Sequence, residues 1–287
     1  MKKLLLVLTT SLLLILTNCN EQLPEVKENI YSAEENAQAE THFFATFDAA
    51  YDIIATDKKF QKSETTIIPS NTTIIFLDST FDDGDGVDVI VDFGSQGESE
   101  PKGTLCQDGR YRAGKMRIQV NQSIRSAEFR ATVVSTEEDS FYSGNGVDMV
   151  QLVGKTAISL AGSNGIKVVV SDATIKSKNI EYTWNSDRVI LQLTNNGNGI
   201  WGDEYEVTGK STGTNREGKS FNVEIIEPLV KKMELDCATT FVSGSVKVTS
   251  SESSQEISID YDPYQNQACD QYAEANLNGR KTIFKIK

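Results

Sequence analysis

Histidine is almost absent from this chain of 287 residues, which contains only His42. Catalytic triads that pair a serine or cysteine nucleophile with a histidine base need a histidine beside the nucleophile, and multi-histidine zinc sites need several histidine ligands. His42 lies beside the aromatic stripe of a predicted helix, away from any nucleophile motif. The sequence therefore predicts no catalytic residues of these classes.

Basic residues are also scarce, because 28 lysines and arginines face 41 acidic residues and the formal net charge is −13. Loss of Lys2 and Lys3 with a cleaved leader would change −13 to −15. A charge of this sign repels nucleic acids and anionic lipid head groups. We therefore expect no nucleic-acid partner.

The chain has no apolar run long enough to cross a membrane. Its N-terminal run, Leu4 to Leu16, has 13 residues, whereas a spanning helix needs about 20. Lys2 and Lys3 precede the run, which predicts a signal peptide over residues 1–18. The segment that ends it, "LTNC", resembles a bacterial lipobox and predicts acylation of Cys19, for example with palmitate. The sequence thus predicts a lipoprotein tethered through Cys19, with the lipid bilayer as its first partner.

Cysteine is rare, with four residues in the chain: Cys19, Cys106, Cys237 and Cys269. If Cys19 carries lipid, three cysteines remain in an oxidising compartment, where disulfides form. Cys237 and Cys269 flank predicted consecutive hairpins, so we expect this pair to be bonded and Cys106 to be a lone thiol. A pairing through Cys106 stays open.

The N-terminal part of the mature chain divides into two segments. Residues 19–33 are polar and acidic, which favours a flexible tether. Residues 34–60 have apolar side chains at three- and four-residue spacing, typical of an amphipathic helix. These positions are Phe43, Phe47, Ala50, Tyr51 and Ile54. Ser32 and Glu35 predict a capping box at the start of that helix.

Residues 61–287 alternate between apolar and polar side chains in short segments bounded by turn residues, the pattern of β-strands. Asn-Gly or Asp-Gly pairs, which favour type I′ hairpin turns, begin at Asp83, Asp85, Asp108, Asn145, Asn164, Asn196, Asn198 and Asn278. No helical pattern interrupts the series. The predicted fold is mainly β, an antiparallel meander or sandwich-like sheet with one N-terminal amphipathic helix, in one unit or two subdomains.

One segment matches the phosphate-binding P-loop pattern, with Gly213 followed after four residues by Gly218, Lys219 and Ser220. A P-loop requires a helix after it, but the residues after Ser220 alternate as in a strand. A similar Gly-Lys turn, residues 109–116, also precedes a strand pattern. We therefore interpret the segment as a hairpin turn and expect no nucleotide.

A cluster of aspartates is the one candidate metal site. Its members are Asp82, Asp83, Asp85 and Asp88. The spacing does not fit an EF-hand, and no helix flanks it, so calcium is a weak candidate and a turn before a strand is the alternative. Apart from calcium, the sequence predicts no cofactor.

Trp184 and Trp201 are the two tryptophans, and either could stack on a sugar ring. Tryptophan in strand-rich segments more often packs in the core. A carbohydrate-binding role through these residues, or through the tyrosine-rich segment 261–272, is therefore an alternative function. Two carboxylates in a cleft would suffice for a glycosidase-type hydrolase, a third and weaker alternative.

Three motifs give the chain a resemblance to a known family. They are "DGRYRAGK" at 108–115, "GTNREGK" at 213–219, and a closing block with "CD" at 269–270 and "NG" at 278–279. With the lipobox, they resemble a family of envelope lipoproteins of Bacteroidota to which no chemistry is attached. The likeness covers roughly residues 87–287 and implies an outer-membrane lipoprotein. We expect a non-catalytic structural or binding module, whose further partner is an envelope protein or a glycan.

Overall fold

The computed structural model describes residues 30–55, 67–69, 72–196, 200–235, 237–250 and 256–286. The predicted signal peptide, Cys19 and most of the predicted tether lie outside these ranges. Among the described residues, no helix has the length and apolar character needed to cross a membrane.

The single helix of the described residues, α1, runs Tyr31–Ala55. It begins where the carbonyl of Ile30 accepts hydrogen bonds from the N–H groups of Ala33 and Glu34. The predicted start at residue 34 is therefore wrong, and so is the capping box. Ser32 and Glu35 are helical residues, and their side chains accept hydrogen bonds from the side chains of Asn215 and Arg216 instead. Residues 56–60 of the predicted helix lie outside the described residues.

Helix α1 is buried on nearly all sides, since 20 of its 25 residues are buried. An amphipathic helix on a protein surface exposes its polar face to water. Here the polar side chains are enclosed too, including those of Glu40, His42 and Asp48. The sheet must therefore supply partners for them, because a buried charge without a partner is strongly destabilising.

In the part of the chain that the structure describes, sixteen strands follow the helix. Their bounds are β1 Thr73–Ser79, β2 Val87–Asp92, β3 Thr104–Leu105, β4 Tyr111–Ala113, β5 Lys115–Val120, β6 Arg130–Ser135, β7 Tyr142–Gly144, β8 Met149–Ala161, β9 Gly165–Ser177, β10 Ile180–Gln192, β11 Glu204–Thr214, β12 Ser220–Lys232, β13 Ser243–Ser250, β14 Glu256–Asp260, β15 Tyr272–Leu277 and β16 Arg280–Lys285. Thirteen of them form one antiparallel path in the order β1-β2-β5-β6-β8-β9-β10-β11-β12-β13-β14-β15-β16. The short β3, β4 and β7 form a side ladder joined to β8.

This architecture confirms the predicted mainly β fold with one N-terminal helix. The described strands form one sheet. Strand β5 illustrates the alternation, because Met116, Ile118 and Val120 are buried and the residues between them are exposed. Helix α1 contacts β9, β10, β11 and β13, and the buried apolar residues of helix and sheet form one core.

The turns follow the predicted chemistry only in part. Of the Asn-Gly and Asp-Gly pairs in the described residues, only Asn278-Gly279 has positive φ at both positions, at 52° and 84°. It joins β15 to β16 as a two-residue hairpin. Asp108 and Asn145 instead accept hydrogen bonds from backbone N–H groups two residues later. In such turns the side-chain oxygen takes the place of a backbone carbonyl as the acceptor, so the residue does not need a positive φ.

A disulfide joins Cys237, between β12 and β13, to Cys269, between β14 and β15. It is the pair that the sequence favoured. Cys106 is a buried free thiol. Near the disulfide, Phe241 packs edge-to-face against Phe44 of the helix and against Tyr261. The bridge thus holds a connecting segment that contacts α1.

Candidate functional site

The polar face of α1 meets charged residues of the sheet in what we call the helix–sheet ionic cluster. Its members are Glu35, Glu40 and Asp48 of α1, and Asp108, Arg112, Arg188, Arg216 and Lys231 of the sheet and its turns. Arg188 of β10 makes a bidentate pair with Glu40, with Nε 2.8 Å from Oε1. Lys231 of β12 lies 3.1 Å from Asp48. Each of these three helix carboxylates is thus matched by a cation from a different strand or turn.

The segment that resembled a P-loop is the hairpin turn between β11 and β12. The Oδ1 atom of Asn215 accepts the N–H groups of Glu217 and Lys219, each at 3.0 Å, and orders the turn. Its Nδ2 donates to Ser32 Oγ at 3.1 Å. The next residue, Arg216, pairs with Glu35. The turn therefore holds the first turns of α1.

The second Gly-Lys segment also contacts the helix. Arg112 of β4 donates to both oxygens of Asp108, at 2.8 and 2.6 Å, and to the carbonyl of Ala45 in α1 at 3.0 Å. Arg110 Nη1 lies 3.3 Å from Nδ1 of His42. Two segments that the sequence singled out as motifs thus converge on one buried helix.

Burial and neighbouring charges shift the pKa values of this cluster. Burial lowers the pKa of His42 well below its usual value, and Arg110 and Arg112 lower it further, so the imidazole is neutral. Burial raises the pKa of Asp48 to about 6 against the opposing effect of Lys231. For Asp108, burial acts in the same direction, but Arg112 outweighs it and lowers the pKa. His42, enclosed and bonded to Arg110, has no access to a substrate.

We expect Arg216→Ala to destabilise the protein and Lys219→Ala to leave stability nearly unchanged. Arg216 is the partner of the fully buried Glu35, whereas Lys219 lies on the surface beside Glu217. Thermal unfolding of both variants measures the difference, which we expect to be at least 1 kcal/mol, because removing one partner of a buried pair leaves a buried charge. Equal melting temperatures for the two variants would contradict the assignment of this turn to the helix.

Asp52, one helical turn after Asp48, makes stability depend on pH. Its Oδ2 accepts the N–H of Ile67 at 2.6 Å, and burial raises its pKa to about 7. Because the folded pKa exceeds the unfolded value of about 3.9, the folded state binds the proton more tightly. Stability should therefore fall as pH rises from about 4 to 7. We expect Asp52→Asn, which keeps an acceptor for Ile67, to reduce this slope in melting temperatures measured from pH 4 to 8. An unchanged slope would contradict the role of Asp52.

The aspartate cluster differs from the predicted one. The carboxylates within 4.8 Å of one another belong to Asp78, Asp83 and Asp85. Asp88 is not among them, because it lies in β2 and makes a bidentate pair with Arg117 of β5. Asp82 is also outside the group, so half of the predicted set was wrong. The sequence missed Asp78, which a β-bulge in β1 brings to the tip of the hairpin.

Trp184 cannot serve as a sugar platform, which corrects the speculative assignment of this residue. It is 1% exposed, stacks on Phe43 with ring centroids 5.5 Å apart, and donates from Nε1 to Asn36 at 2.9 Å. Trp201 is half-buried and packs against the core. The tyrosine-rich segment is mixed, since Tyr261 is buried while Tyr264 is exposed.

A cleft of about 580 Å³ runs along β10 to β13. None of the described side chains that line it is aromatic, which gives no stacking surface for a sugar. It contains two carboxylates, Asp187 and Glu224, on strands that are separated by β11 and so lie about 10 Å apart. Asp187 is nearly half exposed and pairs with Lys167 at 3.1 Å. This cleft offers a carboxylate pair for the hydrolase alternative.

The most unusual surface lies at the β1 edge of the sheet. No strand of the described residues pairs with the outer side of β1, yet Ile75, Phe76 and Leu77 are all at least 40% exposed. A cleft of about 460 Å³, lined in part by Phe81, adjoins the end of the strand. We call the exposed residues Ile75, Phe76, Leu77 and Phe81 the β1-edge surface.

The opposite edge of the sheet, β16, differs in chemistry. It carries Arg280, Lys281 and Lys285, with Ile283 as its exposed large apolar residue. Charged side chains, lysine above all, protect an edge strand against pairing with other chains. By this criterion β16 is protected, whereas β1 carries exposed apolar side chains and no further strand of the described residues pairs with it.

The comparisons with known proteins give no relative to set beside this geometry. No protein family, curated protein or solved structure matches the chain.

Proposed function

We propose that the chain is an outer-membrane lipoprotein, tethered through an acylated Cys19, whose β domain is a non-catalytic binding module. We further propose that it binds an extended segment of another envelope protein by strand addition to β1. The observation that carries this proposal is the β1 edge, where Ile75 and Leu77 are exposed and no further strand of the described residues pairs. The leader with its lipobox and the three family-like motifs support the location.

Strand addition fits the chemistry of the β1-edge surface. An added strand receives backbone hydrogen bonds from the edge strand, and its alternate side chains occupy neighbouring apolar sites. Ile75 and Leu77 are 40% and 56% exposed and offer such sites. Asp78, Asp83 and Asp85 at the end of β1 would attract basic residues of the partner. We therefore expect the bound segment to alternate apolar residues with lysine or arginine.

The proposal of a non-catalytic protein is supported by the pairing of the buried charged side chains. The carboxylates and cations of the helix–sheet ionic cluster pair with one another, and the one histidine is enclosed beside Arg110. The carbohydrate-binding alternative loses its main residue with the burial of Trp184. The hydrolase alternative rests on the Asp187 and Glu224 cleft alone.

Site-specific photocrosslinking in the native envelope tests the binding surface. A photoreactive residue at position 77 should form an adduct with one defined protein, and the crosslinked peptide should have alternating apolar and basic residues. The matched control is the same residue at position 283 on the protected β16 edge, which should give no such adduct. Ile75→Lys should abolish the adduct at position 77. A crosslink to a second copy of this chain, or no adduct, would contradict the proposal.

The anchor has its own test, which does not depend on the binding partner. Mass spectrometry of the purified native protein should find a mature chain that begins at an acylated Cys19. An intact leader peptide would contradict the proposed location. Turnover of a glycan or peptide that is lost in Asp187→Asn would instead support the hydrolase alternative.

A further inference from the structure

Among the buried ion pairs of the described residues, that of Lys231 and Asp48 is the one that uses lysine. Its Nζ atom lies 3.1 Å from Oδ2 of Asp48, and both side chains are less than a tenth exposed. The other buried pairs of the helix–sheet ionic cluster use arginine, whose guanidinium stays protonated and is a poor nucleophile. A lysine amine can become neutral when buried and then attack a carbonyl carbon.

The surroundings of this pair exclude water on several sides. The Nζ atom lies 4.7 Å from the ring centre of Phe44 and 5.9 Å from that of Phe241. It donates one hydrogen bond, 2.7 Å long, to the carbonyl of Ala238. The Asp48 Oδ2 atom, although within ion-pair distance, has no partner with hydrogen-bond geometry. The bond to Ala238 thus holds the amine beside the carboxyl group, with Nζ 3.1 Å from Oδ2.

We propose that Lys231 and Asp48 form an intramolecular amide bond when the protein folds. The Nζ atom of Lys231 attacks Cγ of Asp48, the new N–C bond forms, and one C–O bond of the carboxyl group breaks. The oxygen leaves with two protons from the ammonium group as one water molecule. Atoms and charge balance without any oxidant or cofactor, since an ammonium and a carboxylate give a neutral amide and water.

The local electrostatics favour the neutral reactants that this condensation needs. Burial raises the pKa of Asp48 and lowers the pKa of Lys231, so transfer of a proton from the amine to the carboxyl group costs less than in water. Two groups held within reach of each other react far faster than free ones, because the entropy of encounter is already lost. Exclusion of water from the site also protects the product against hydrolysis.

The bond would have a structural role beyond that of the disulfide. It would tie α1 to β12 covalently, while Cys237–Cys269 ties the neighbouring connecting segments to each other. Both links meet at the segment after β12, because Ala238, which orients the amine, follows Cys237 directly. Helix and sheet would then stay joined even after local unfolding.

Peptide mapping of the full-length protein tests this directly. Trypsin should fail to cleave after Lys231, and a branched peptide should join residues 28–58 to residues 220–232. Its mass should be the sum of the two peptides less one water. The exposed pairs Lys247–Glu256 and Lys281–Glu274, each 2.7 Å apart, are internal controls and should give only linear peptides. Lys231→Arg, which preserves the charge, should give no branched peptide.

The folded wild-type protein decides the outcome, whether or not the variants fold. Cleavage after Lys231, with residues 28–58 recovered as a linear peptide of full mass, would overturn the proposal. A branched peptide that persists in Lys231→Arg would overturn the assignment to Lys231.

Discussion

Replacing Glu40 with alanine should lower the free energy of unfolding by about 3–5 kcal/mol, because it leaves Arg188 buried without its partner. Both side chains are at most 3% exposed, and the pair is bidentate. A protein of this kind has about 5–15 kcal/mol of stability in total, so the loss is a large fraction of it. Denaturant unfolding measures the change.

The matched control for Glu40→Ala is Glu256→Ala on the surface. Glu256 pairs with Lys247 at 2.7 Å, but both side chains are at least 40% exposed. Water screens such a pair, so its removal should cost about 0–1 kcal/mol. Replacing both members of the buried pair, as Glu40→Leu with Arg188→Met, should restore much of the stability. Equal effects of Glu40→Ala and Glu256→Ala would contradict burial of the helix.

Replacing Trp184 with alanine should cost about 3–5 kcal/mol, because it leaves a cavity beneath the helix. The indole ring is 1% exposed, stacks on Phe43, and donates the hydrogen bond that Asn36 accepts. Thermal or denaturant unfolding measures the loss. A sugar platform would give the opposite pattern, with unchanged stability and weaker binding to a polysaccharide.

The control for Trp184→Ala is Leu235→Ala, at a side chain that is 76% exposed. Substitutions at such positions change stability by about 0.5 kcal/mol or less. If Trp184→Ala behaved like Leu235→Ala, the packing of the helix against β10 would be contradicted.

The period of the sequence was sufficient to predict a mainly β, antiparallel fold. Alternation such as that of β5 and β12 determines which face is buried, and the lack of a second helical pattern excludes parallel crossovers. The location of the helix was not predictable in this way. Its aromatic stripe predicted one buried face. The burial of Glu40 and Asp48 on the other faces depends on cations that are far away in the chain.

The candidate sites show the same limit. A hairpin turn and a P-loop can have the same glycine and lysine spacing in the sequence. Only the strand pattern after Ser220 distinguished the two here. The partner of Arg216, Glu35, could not be found from the turn itself. Asp78 entered the aspartate group through a β-bulge, and a one-residue irregularity of this kind has little signature in the sequence. The burial of Trp184 could be predicted only from the position of the helix, because its contacts are with Phe43 and Asn36 of α1.

Helix α1 lies in the interior of the protein, and the sheet packs around it. Native-state hydrogen exchange of the full chain tests this arrangement most directly, because protection reports the free energy of local opening. We expect amides in the middle of α1 to exchange as slowly as those of β9 and β10. Fast exchange throughout α1, with the central strands still protected, would show a peripheral helix and would contradict the account.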